Sequence, residues 1–106
     1  SMITLAQAIA HTVRYPVSGV FNLGATTGMS KADFSFAFAN AMRLPTGMMR
    51  RTTTDQVDFL KTYRPKDMRM DNAAFETAFQ FSLPALSTEI QLICEEYLNE
   101  SSPARA

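Results

Sequence analysis

Six residues, Val20-Phe21-Asn22-Leu23-Gly24-Ala25, restrict this chain more than any other stretch. The run is short and nearly continuously apolar, introduced by Ser18-Gly19 and interrupted only by Asn22 and Gly24. Such a run suits a strand covered on both faces, as in a parallel sheet. A chain of 106 residues with one or two strands has difficulty supplying both covers by itself. The next segment repeats the demand. Ser30-Lys31-Ala32-Asp33 reads as a capping box in its carboxylate form, with Met29 and Phe34 as a hydrophobic staple. In the helix that follows, Phe34, Ala37, Phe38 and Ala41 form one face while Phe36 and Ala39 point largely the other way. A helix apolar on two sides is expected between layers. Either two layers surround it, or part of the second layer lies outside this chain.

The remaining elements follow from caps and breakers. Thr4-Leu5-Ala6-Gln7 fits a capping box for a helix over residues 5–14, ended by Tyr15-Pro16. His11 falls there beside polar positions and reads as a surface or cap residue without catalytic work. Leu44-Pro45-Thr46-Gly47 is a turn, and Met48–Thr54, with three β-branched threonines, predicts a second short strand. Arg50-Arg51 would be its solvated end. Asp55–Thr62 reads as a partly apolar loop able to line a pocket. After Leu83-Pro84, the stripe Leu86, Ile90, Ile93, Cys94, Tyr97 predicts a last helix over about residues 84–99, with Glu89 off the stripe. The expected fold is therefore α/β, or α+β in isolation: about four helices and two short strands.

Composition narrows the function classes. Ten basic and ten acidic residues cancel, which gives no bulk attraction to nucleic acid or a membrane surface. No apolar run approaches the roughly 20 residues of a membrane span. Cys94 is the single cysteine, fitting a reducing cytoplasmic compartment, and its place in the stripe makes it a small core residue. No His/Cys/carboxylate cluster has metal-ligand spacing, and the Gly24–Gly28 loop lacks the spacing of a dinucleotide fingerprint. Ser1-Met2 resembles a tag-cleavage remnant, so residues 3–99 are expected to form one domain of a longer protein, with 100–106 as a flexible tail.

One stretch carries candidate chemistry: YRPKDMRMDNAAFETAFQF, from Tyr63 to Phe81. Proline fixes its own φ and holds Arg64 in extended backbone. Lys66, Asp67 and Arg69 follow the corner, Met68 and Met70 alternate with polar residues, and Asp71 stands at a helix N-cap position. Ala74, Phe75, Ala78 and Phe79 then make one helical face. By residue chemistry alone the corner is either a hinge or an anion-holding site built on Arg64.

The order of these pieces resembles the C-terminal portion of an extended short-chain dehydrogenase/reductase, most closely the dTDP-4-dehydrorhamnose reductase and nucleotide-sugar epimerase group. The matching residues are the G-V-F-N-L-G run, the Ser30–Met42 helix, Arg64-Pro65, Arg69-Met70-Asp71, Leu83-Pro84 and the final helix to Leu98. The resemblance implies a substrate-binding portion in which Arg64 contacts the diphosphate of a nucleotide sugar. It also implies a missing N-terminal nucleotide-binding domain that supplies NAD(P)H binding in the parent enzyme. Asp67 and Met68 depart from the small polar pair of rhamnose reductases, and Asp67 echoes the R-P-x-D of the epimerases. No tyrosine here has a lysine four residues later, so the reduction belongs to the parent and not to this fragment. Two alternatives stand beside that reading: a non-catalytic, reductase-like regulatory module, and an interaction module that homodimerises through exposed apolar surface.

Overall fold

A computed structural model describes residues 1–100. Helix α1 spans Met2–Arg14, α2 Lys31–Ala41, α3 Ala73–Phe79 and α4 Leu86–Glu100, with a 3-10 turn at Thr54–Gln56. Among the described residues there is no strand. The expected α/β architecture is thus corrected to an all-helical one.

The physical reason lies in where the backbone groups go. Near the predicted first strand, the Thr26 N–H donates to the carbonyl of Pro84 at 2.9 Å, and the Thr26 hydroxyl donates to that of Leu83. Proline has no N–H to return, so the contact cannot grow into a ladder there. Gly19, with φ of +144°, turns the chain into this segment. In the predicted second strand the threonines serve a local turn instead. Thr53 caps the 3-10 turn, and the Gln56 side chain reaches back to the Thr53 N–H and the Thr52 hydroxyl. β-Branched residues favour strands only where a neighbouring strand exists to pack against.

The helices follow their caps, with shifts. The N-cap of α1 is Ser1, whose hydroxyl accepts the Thr4 N–H at 3.1 Å, so the helix starts before the expected Thr4 box. Ser30 caps α2 as anticipated, accepting the Asp33 N–H at 3.0 Å. Asn72 is the N-cap residue of α3, while Asp71 accepts the Ala73 N–H from one position earlier. Glu100, expected as the first residue of the tail, is the last residue of α4, and the rest of that tail, 101–106, lies outside the described residues.

The centre is small. Ala8 of α1, Phe75 and Phe79 of α3, and Leu83 form the buried cluster, with Phe21, Leu23 and Phe81 against it. Phe79 meets the edge of Phe21 at 5.1 Å and tilts on Phe75 at 4.8 Å. Packing of α2 on α4 adds Ala39, Ile90 and Cys94 to the buried set. The radius of gyration is 17.4 Å, against about 13 Å for a compact domain of this length. The extents, 47 × 47 × 17 Å, describe a slab less than two helix diameters thick. Helix α2 is accordingly not enclosed between layers. Phe34 and Phe38 are exposed, and Phe36 is covered by the Arg51 guanidinium, 4.7 Å above its ring.

Glu89 is the second correction. It sits off the apolar stripe, yet it is buried, with 5% exposure. Its carboxylate takes hydrogen bonds from the Ser1 amine and the Thr4 hydroxyl. Burial pushes the carboxyl up, but these donors and the charge of the amine outweigh it, so it titrates below its ordinary 4.5. A lowered acid stabilises the fold fully above the unfolded value and loses that contribution as pH falls through the folded one. Thermal unfolding of the wild type should therefore shift to lower temperature below about pH 4.5, and Glu89→Gln should flatten that part of the profile. An unchanged slope in Glu89→Gln would remove Glu89 as the titrating group.

Candidate functional site

Residues 54–66 fold the loop after α2 into a depression of about 460 Å³. Its wall contains Lys61, Arg64 and Lys66, together with Asp55 and Asp58. The cations are not equivalent. Lys66 is held by Asp55 at 2.8 Å and by the Thr54 hydroxyl at 3.1 Å. Arg69, just beyond the corner, is locked onto Asp67, with Nε–Oδ1 at 2.9 Å and Nη2–Oδ2 at 2.6 Å. Asp67 also accepts the Arg69 backbone N–H at 3.1 Å. The Arg69 guanidinium, and then its N–H, hold the Asp67 carboxyl at about 2. Arg51 pairs with Asp33 at 2.6 Å. Arg64 and Lys61 form no ion pair among the described residues.

The corner therefore sorts its charges. Asp55 and Asp67 neutralise the two cations that follow Pro65, Lys66 and Arg69, while Arg64 stays exposed at the depression. An uncommitted guanidinium presents a planar fork of donors suited to phosphate oxygens. Lys61 adds a compact cation from the same wall. Sequence reading passed over Lys61 as part of a polar loop. The available signal was its position three residues before Arg64.

Other candidates are absorbed by structure. His11 Nε2 donates to the Phe79 carbonyl at 2.6 Å, and its ring lies 5.0 Å from Phe81 and 5.1 Å from Tyr15. It is a latch between α1 and the end of α3. Cys94 is buried in α4, and burial pushes its thiol up, away from nucleophilic use. The Gly24–Gly28 loop is no open cradle: a Cβ on Gly28 would lie 2.6 Å from the Arg69 Cγ. The Asn72 amide donates to the carbonyls of Gly24 at 2.8 Å and Ala25 at 3.0 Å, which ties this loop to the start of α3.

A second concavity, apolar and about 280 Å³, lies between α1, α2 and α4. Leu5, Phe34, Phe38 and Ile93 wall it, and the Ser1–Thr4–Glu89 cluster closes one end. No residue lines both concavities.

No protein-family model, curated protein or solved structure matches this chain. No helix among the described residues is long and apolar enough to cross a membrane.

Proposed function

We propose that this chain binds the diphosphate of a nucleotide sugar through Arg64, as the substrate-binding portion of an NAD(P)-dependent reductase or epimerase. One observation carries the reading. Of the cations around Pro65, Arg64 faces the depression without a carboxylate partner among the described residues, whereas Lys66 and Arg69 each have one. Lys61 is the second phosphate ligand in this reading. The ordered set of motifs from Ile3 to Leu98 supports the substrate class.

The cofactor does not fit this chain. Its glycine loop is filled by the Arg69 side chain, and it has neither the dinucleotide fingerprint nor a Tyr-x-x-x-Lys pair. NAD(P)H binding and proton transfer belong to a separate nucleotide-binding part of the parent protein, and no reaction step is assigned to the residues present. A lone cysteine kept as a buried thiol accords with a cytoplasmic setting.

The test is titration of the chain with dTDP-glucose, followed by amide chemical shifts. Arg64→Ala should weaken binding by about 10- to 100-fold, the range for losing a charged hydrogen-bond donor. Equal affinity in Arg64→Ala and wild type would remove Arg64 from the site. A regulatory or interaction module remains the second reading, favoured by the large apolar side chains left exposed on the helices.

A further inference from the structure

Helix α1 has an apolar arc that no other element covers among the described residues. Met2, Leu5, Ile9 and Val13 fall within about 80° of one another on the helical wheel. Met2 and Val13 are 80% and 76% exposed, and Ile9 is 54% exposed. Leu5 alone of the four lines the apolar concavity, so the arc runs out of that cavity along α1. The N-terminal half of α1 thus borders a hole, while its C-terminal half carries two protruding side chains. This arrangement is complementary to itself.

We infer that a second copy of this chain covers this face, with α1 packed antiparallel on α1 of the second copy across a two-fold axis near Gln7 and Ala8. In that register Ile9 of one copy lies against Leu5 of the other, and Val13 lies against Met2. The Ile9 side chain then enters the concavity walled by Phe34, Phe38 and Ile93. A two-fold interface repeats each such contact twice, which is why one hole and one knob per chain suffice.

Three further observations select a second copy. The chain forms a slab 17 Å thick around a small buried centre. Its broad face is about 47 Å on each side, more than twice the area of the roughly 800 Å² that each partner gives to a standard interface. The formal net charge is zero, so two copies approach without bulk repulsion. The concavity offers a polar ligand little, because Ser1, Thr4 and Glu89 already hydrogen-bond one another.

Sedimentation velocity over a concentration series is the test. Wild type should sediment at twice the chain mass at high micromolar concentration. Ile9→Glu and Val13→Glu should each weaken association by at least about 30-fold, the scale of an interface hot spot. All these positions are at least partly exposed, so far-UV circular dichroism should show the fold retained. Val20→Glu, on a fully exposed residue outside α1, should leave the dimer intact. The register is tested by a Met2→Cys/Val13→Cys double variant. The two sites are on the order of 16 Å apart within one helix, too far for an internal disulfide. An oxidised dimer expected from that variant reports the antiparallel contact, since Cys94 is buried. A wild-type monomer, a dimer insensitive to both glutamates, or absence of the cross-link would overturn the proposal. The dTDP-glucose titration reads a different surface, so either proposal can fail alone.

Discussion

Phe79→Ala is expected to remove most of the stability of this chain, at a cost of about 3–5 kcal/mol. Phe79 is 6% exposed and touches both Phe75 and Phe21, so alanine would open a cavity at the middle of the cluster that joins α1 to α3. Domains of this size are stable by about 5–15 kcal/mol, and a slab with seven buried apolar residues among those described belongs at the low end. Urea unfolding followed by circular dichroism should lose its sigmoidal transition or show a large drop in midpoint. Phe59→Ala is the control. That ring is 81% exposed, and its loss should change stability by no more than about 0.5 kcal/mol. Equal midpoints for the two variants would show that the α1–α3 cluster is not the core.

The second large effect is expected at Asn72, which is 5% exposed. Its amide nitrogen serves two carbonyls, and its Oδ1 has no partner among the described residues. Asn72→Asp keeps the shape but replaces the shared donor with an acceptor. At pH 7 a buried carboxylate would face the Gly24 and Ala25 carbonyl oxygens, costing about 3–5 kcal/mol. Both burial and those oxygens raise the folded pKa of the new carboxyl above its unfolded value of about 3.9. Below the unfolded value both states are protonated and the electrostatic penalty vanishes. It grows as pH rises towards the folded value. The variant should therefore approach wild-type stability near pH 4 and fall well below it at pH 7. Asn72→Ala, which only removes the two donations, should cost about 1–3 kcal/mol at both values. A pH-independent difference between Asn72→Asp and wild type would mean that this amide does not hold the loop as described.

These two residues show where sequence reading succeeds and stops. Phe75 and Phe79 were legible as one face of a helix because helical spacing alone places them together. Asn72 was not, because its role is to serve carbonyls 47 and 48 residues away. Glu89 was misplaced for the same reason: its partners lie at the other end of the chain. The strands at 20–25 and 48–54 were read from composition that would suit a sheet. Pro84 and the Thr53 cap divert the backbone groups such a sheet would need.

The sequence by itself determined these helices through Ser30, the start of α3 marked at Asp71, one residue before its N-cap, and the apolar stripe of α4, because caps and 3.6-residue periodicity are local. It also determined the rigid Arg64-Pro65 corner, since proline fixes φ in any context. Only the tertiary structure decided which cations of that corner are committed. The pairing of Lys66 with Asp55, eleven residues away, depends on how the loop closes, whereas Arg69 meets Asp67 only two residues back; together they leave Arg64 and Lys61 as the cations of the depression without an ion pair among the described residues. The same holds for the open face of α1: periodicity marks it as apolar, and only packing shows that nothing in the described chain covers it.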